Sequence, residues 1–311
     1  MTTSAVSVLE MVNLKPLRVF NSEAVGRIFM PDGFSYEEVA AVHISPLHGR
    51  SVALRVSCYD WINVKGGGWN YGGPQVYLSR KDEELVFGLY PLLSAKRELA
   101  VSQALEKISD AFPKVMYYKK LSAYKLPPEY AILTAAKFQN GTPVDPCLLY
   151  TRVKTPCRVA DLMYFTGEEK RRAVQACCDF WGVSPKQYTQ KFTQELAKHV
   201  AIMHKNGFIN DTLDYANVTM LAEIIDYEWV TAPDILLPDG TYGLEITDAR
   251  REKELLYGAE ICLQLKAMLQ EPYALFDCYR EFIEAYQNIY PQFAEQCDGV
   301  QKMLGREEFI L

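Results

Sequence analysis

"NGFINDTLDYANVTMLAEIIDYEW", residues 206–229, places Asp211, Asp214 and Asn217 just before an apolar hairpin and Asp226 directly after it. Val218-Thr219-Met220 and Ile224-Ile225 read as two short strands joined by a tight connection at Leu221-Ala222-Glu223. Asn217 then begins the first strand and Asp226 follows the second. The two ends of a hairpin lie side by side, so an amide oxygen and a carboxylate converge there. Such an oxygen-only pair suits Mg²⁺.

The 311 residues are enough for two lobes and a sizeable core. Charge is mixed with a net of −6, so no basic face points to nucleic acid or an anionic membrane. The opening "MTTSAVSVLEMVNLKPLR" lacks the charged-then-apolar order of a signal peptide. No apolar run approaches about 18–20 residues, the length needed to span a bilayer. The expectation is a cytoplasmic protein with neither a nucleic-acid nor a membrane partner. The eight cysteines are scattered, without a C-x-x-C pair or a histidine at ligand spacing. They read as packing thiols of a reducing compartment rather than zinc ligands.

Up to about residue 150 the chain is rich in strand-like runs: "AVHIS", "SVALRVSCYDWINV", "PQVYLSR", "ELVFGLY" and "EYAILTAAKF". One helix interrupts them, "SAKRELAVSQALEKI" (94–108), with Ser94 as its N-cap and Ala95, Leu99, Ser102 and Leu105 along one face. Beyond it the chain is helical, and the helix through "AKHVAIMHK" stops at Asn206-Gly207. His199 and His204, on that helix, are expected to be core or surface residues rather than ligands. The fold expected is α+β and protein-kinase-like: a strand-rich N-lobe over residues 1–148 and a helical C-lobe over residues 149–311.

Three further stretches carry chemistry. "VKGGGWNYGG" (64–73) puts Lys65 at a strand end before glycines, where a lysine can reach bound phosphates, and Glu98 on the lobe's one helix is its natural partner. "YTRVKTPCR" (150–158) supplies Arg152, Lys154 and Arg158, which strand alternation would set on one face, with guanidinium forks suited to phosphate oxygens. In "SPLHGRSVALRV" (45–56), Gly49-Arg50 forms a candidate turn over a nucleotide. Each has a plainer reading alone, as a surface lysine, a solvated strand edge or a common dipeptide.

In order, these stretches resemble the selenoprotein O family, kinase-fold proteins that act as protein adenylyltransferases. That family reads L-K-G-x-G, then I-R-E-F-L-x-S-E-A, R-V-A-P-S-x-x-R, and H-G-V-M-N-T-D-N-M-S followed by I-D-Y-G-P-F. This chain gives "NVKGGG", "AKRELAVSQAL", "TRVKTPCR" and "NGFINDTLDYANVT" followed by "IIDYEW", over roughly residues 45–230. The resemblance implies that Lys65 touches nucleotide phosphates and pairs with Glu98. It also implies that Gly49 and Arg50 belong to a nucleotide loop, that Arg152 and Arg158 hold phosphates, and that Asn217 and Asp226 bind Mg²⁺. ATP would then be held inverted, so that AMP is transferred.

Some positions depart from the family. The base expected directly before the metal-binding asparagine is Ala216 here, leaving Asp214 or Asp211 to replace it, with Asp214 preferred. The family's Asp-Gly pair before the helix falls at Phe87-Gly88, and the two arginines are one residue closer together. The expected activity is Mg²⁺- and ATP-dependent nucleotidyl transfer to a protein hydroxyl or a small-molecule acceptor. The alternatives are an inactive kinase-fold scaffold, and a kinase or adenylate-forming enzyme of small-molecule biosynthesis.

Overall fold

The computed structural model describes residues 41–43, 51–66, 90, 92–120, 147–231, 246–272 and 275–293. Five strands form an antiparallel sheet: β1 (Ala41–His43), β2 (Ser51–Ser57), β3 (Asp60–Lys65), β4 (Lys114–Lys120) and β5 (Cys147–Val153), in the order β1-β2-β3-β5-β4. The run expected as one strand over residues 51–64 is a hairpin that turns at Cys58-Tyr59. The turn at Cys58-Tyr59 carries no glycine, proline or asparagine, so the sequence hides it. Val52, Leu54, Ile62, Val64, Leu148 and Tyr150 cluster on one face, while Ala53, Trp61, Leu149 and Val153 join the main core on the other.

Helix α1 (Leu92–Leu105) follows β3 in the chain, packs against β4 and β5, and buries Ala95, Glu98, Val101, Ser102 and Leu105. It starts two residues before Ser94, so Ser94 is no N-cap. Its hydroxyl instead donates to Glu228 Oε1 at 2.7 Å. The boundary expected at residue 148 falls inside β5, whose pairing runs on to Val153. There Thr155-Pro156 ends the extended run, so Arg158 leads a 3₁₀ turn (Val159–Met163) instead of sharing a strand face with Arg152.

Four helices follow: α2 (Gly167–Trp181), α3 (Tyr188–Lys205), α4 (Asp248–Met268) and α5 (Leu275–Gln287). Thr166 and Glu169 form a capping box that starts α2. On α3, Phe192, Leu196, Val200 and Met203 recur at helical spacing and are fully buried against the main core. α3 ends as expected at Asn206-Gly207, where Gly207 takes a positive φ of 78°. A short ladder joins β6 (Ile209–Asn210) to β7 (Val230–Thr231) and closes the base of the loop that carries Asp211 to Asp226.

The stretches 74–80, 84–89 and 129–138, together with Gly49, Arg50 and Phe87-Gly88, lie outside the described residues. Cys147, Cys157, Cys177, Cys178, Cys262 and Cys278 are buried free thiols, in keeping with a packing role. No helix among the described residues is long and apolar enough to cross a membrane.

Candidate functional site

β3 ends on Lys65, in register with Leu149 of β5, so its side chain points to the face that α1 covers. Only 2% of it is exposed. Its Nζ lies 2.7 Å from Glu98 Oε1 and 3.2 Å from Asp226 Oδ1, and 5.4 Å from the centre of the Tyr90 ring. The strand, the helix and the hairpin stretch thus meet at one ammonium group. Glu98 is fully buried: Oε1 also accepts from the Tyr90 hydroxyl, and Oε2 accepts from Tyr227 N at 3.4 Å. Burial pushes its pKa up to about 7, with repulsion from Asp226 adding to this and Lys65 opposing it.

Gly66 follows Lys65 with a φ of +89°. A Cβ there would stand 2.2 Å from Cys147 O and 2.8 Å from Tyr90 Cβ, so the chain leaves β3 through a gap that admits only hydrogen.

The expected hairpin is present in reduced form, as one bridge between Val218 and Ile224 rather than two full strands. Ile225 N donates to Asn217 O at 3.0 Å, which brings Asn217 and Asp226 to neighbouring rungs. Asn217 Nδ2 donates to Thr212 O at 3.1 Å. Ala222 takes φ +60° in the turn, and its carbonyl accepts from His199 Nδ1 at 2.7 Å. Burial pushes His199 down to about 4, so it stays neutral and braces the turn as a core residue. His204 is also a core residue: Nε2 meets Glu254 Oε2 at 3.0 Å, and the same oxygen accepts from Asn210 N at 2.9 Å. This pair anchors the start of the loop to α4.

The two candidate bases differ. Asp214 Oδ1 accepts from Ala216 N at 2.7 Å and Asn217 N at 3.0 Å, folding the loop back toward the site. The residue is exposed, yet part of its carboxylate loses water to the loop, and this raises its pKa against those two donors. Asp211 is bound to the Arg250 guanidinium, with Nε at 3.2 Å, and accepts from Thr231 Oγ1 at 3.2 Å.

The arginines also separate. Arg158 is buried and donates from Nη1 to Ala216 O at 2.8 Å. Arg152 is exposed, and its Nε donates to Asp60 Oδ1 at 2.6 Å beside the β2–β3 turn, three residues along β5 from the partner of Lys65. Lys65, Glu98 and Asp226 are therefore brought together, Asn217 lies on the strand segment bonded to Ile225 beside Asp226, Asp214 and Arg158 lie on and against the loop that leads to it, and Arg152 and Asp211 are engaged elsewhere.

Sequence reading missed Glu228 and Glu223. Glu228 lies two residues after Asp226, a spacing that sets both on one side of an extended chain. Ligand oxygens of Glu98, Asp226 and Glu228 lie within 4.8 Å of one another. Glu223, buried in the hairpin turn, takes Lys154 N on both oxygens at 3.0 Å and Thr219 Oγ1 at 3.2 Å. It ties the segment after β5 to the hairpin, and burial pushes its pKa up to about 7.

No protein-family model matches the chain, and no curated protein matches it.

Proposed function

We propose that this protein is a Mg²⁺-dependent, ATP-using transferase with a kinase-like bilobal arrangement, and that it moves the adenylyl group of ATP to a hydroxyl acceptor. The observation that carries this reading is the bridging of Lys65 between Glu98 and Asp226, at 2.7 and 3.2 Å. A buried lysine held by a helix carboxylate and a loop carboxylate is the arrangement that positions phosphates in phosphoryl-transfer sites. The sheet order, with α1 between β3 and β4 in the chain, supports the same reading.

The donor set fits magnesium: Asn217 Oδ1 and the Asp226 carboxylate would hold the ion, with Glu228 beside them. All are hard oxygen ligands, and the number is small enough to leave room for water and phosphate. A bound Mg²⁺ would supply charge neutralisation on the phosphates. The chain's own groups do the rest. Lys65 binds phosphate oxygens, Arg158 adds a second cation at the loop, and Asp214 orients the acceptor hydroxyl and takes its proton.

A second reading, a nucleotide-binding scaffold, is favoured by Ala216 at the position where the resemblance expects the base. Incubation with ATP labelled at the α- or the γ-phosphorus separates the readings. Label from the α-position in an acceptor is expected; label from the γ-position means kinase chemistry. Neither label, with Mg²⁺-dependent ATP binding intact, leaves the scaffold.

A further inference from the structure

Asn210 is the last residue of β6 and is fully buried. Its neighbours at the base of the loop, Ile209, Leu213 and Val230, are buried apolar side chains. Taking an amide out of water in such a place costs free energy unless its hydrogen bonds are remade. The partners that remake them tell what the amide is for.

Oδ1 of Asn210 accepts from Thr212 N at 3.0 Å and from Thr212 Oγ1 at 3.1 Å. A backbone N–H can only donate, so the atom it meets is the oxygen and the orientation of the amide is fixed. Nδ2 is thereby the donor, and it meets Asp226 O at 3.4 Å, a long bond to the backbone of the proposed metal ligand. Thr212 extends the other route, because its own carbonyl accepts from Asn217 Nδ2 at 3.1 Å. One buried amide thus reaches both residues proposed to hold Mg²⁺, Asp226 directly and Asn217 through a single intervening residue.

The amide is itself mounted on the helical core. Its backbone N donates to Glu254 Oε2 at 2.9 Å, Glu254 meets His204 Nε2 at 3.0 Å, and His204 Nδ1 meets the Tyr286 hydroxyl at 2.9 Å. Helices α3, α4 and α5 each supply one member of this chain, and the pairing of Asn210 with Val230 adds a strand contact. The bond from Ile225 N to Asn217 O sets the spacing of the two chain ends. The contacts of Asn210 go further: they hold Asn217 by its side chain and Asp226 by its peptide plane.

We propose that Asn210 is the positioning residue of the metal pair, holding the Asn217 side chain and the Asp226 backbone in the relative orientation that binds Mg²⁺. The proposal rests on the transferase reading above and adds no ligand to it, since Asn210 acts only through its two neighbours. Loss of a group that orients metal ligands typically lowers metal affinity about 10- to 100-fold.

The test is calorimetric titration of the full chain with α,β-methylene ATP over a series of Mg²⁺ concentrations that starts in EDTA. In the parent, affinity should rise with Mg²⁺ to a plateau. Asn210→Ser is too short to reach Asp226 and should raise the Mg²⁺ concentration at half-plateau about tenfold, with affinity recovering in excess Mg²⁺. Thr212→Val leaves Asn210 in place but removes one of the two donors to its oxygen, and should raise that concentration about threefold. Urea unfolding accompanies each variant, and if Asn210→Ser does not fold, Thr212→Val alone decides. Unshifted midpoints, or a loss of affinity that excess Mg²⁺ does not restore, overturn the proposal and leave the transferase reading standing. A parent that binds the analogue equally with and without Mg²⁺, or not at all, overturns that reading and the proposal with it.

Discussion

Lys65, Glu98 and Asp226 occupy a dry corner where each charge is held by another, whereas Asp211 and Asp214 sit on an exposed loop held by backbone donors and one arginine. In the corner, low local dielectric strengthens every charge contact, and no side chain moves without leaving an unmatched charge behind. On the loop, water screens the charges and a carboxylate is free to meet a partner. On the proposed reading the two regions would serve different sides of the reaction: fixed charges suit phosphates of constant shape, and an accessible carboxylate suits an acceptor that comes and goes.

The hardest blow to this comparison falls on the corner. Lys65→Met leaves Glu98 and Asp226 facing each other in a buried site and should destabilise the fold by about 3–5 kcal/mol, measured by urea unfolding. ATP-dependent turnover should fall at least about 100-fold in the same variant, and also in Asp226→Ala. A corner variant as stable and active as the parent breaks the comparison outright.

On the loop, Asp214→Asn should cut turnover by about two orders of magnitude with ATP binding unchanged. Asp211→Asn should mainly loosen the tie to Arg250, costing about 1 kcal/mol or less. The reverse order in steady-state kinetics would hand the proton to Asp211. If neither substitution slows turnover, an acceptor that is already ionised becomes the better hypothesis.

A finer distinction separates the arginines. Arg158→Lys should weaken nucleotide binding about tenfold, because a point charge cannot reproduce a guanidinium fork. Arg152→Lys should leave affinity unchanged, since Arg152 is spent on Asp60. Equal losses in a binding titration would mean that Arg152 leaves Asp60 when nucleotide arrives.

The smallest effect concerns pH. Burial raises the pKa of Glu223 from 4.5 to about 7, so the folded state holds its proton longer than the unfolded chain. The stability linked to this proton is fully present below pH 4.5 and is lost as pH rises through about 7. Glu223→Gln should flatten that part of the melting-temperature profile. His199 works the other way, its depressed pKa costing stability as pH falls from 6.5 toward 4, so Glu223→Gln and His199→Gln should bend the profile in opposite directions.

The strand that ends at Lys65, the helix with Glu98 and the hairpin between Asn217 and Asp226 were legible because each rests on local signals: alternation, helical spacing and a tight turn. What escaped the sequence depends on distant partners. Ser94 looks like an N-cap, but it faces Glu228, 134 residues away. Arg152 and Arg158 look like one face only if the strand continues, and Pro156 gives little warning that pairing has already ended at Val153. Glu223 reads as a polar turn residue, and only the folded chain buries it against the backbone of Lys154.

Gly66 has a consequence for how the protein tolerates change. The backbone passes Cys147 O and Tyr90 with room for a hydrogen and nothing larger. Tyr90 in turn donates to the glutamate that holds Lys65. The mildest substitution in the genetic repertoire, Gly66→Ala, would push on the tyrosine, then the glutamate, then the lysine. A lineage that carries this protein can drift at many surface positions, but here a single methyl group reaches the centre of the site in three steps.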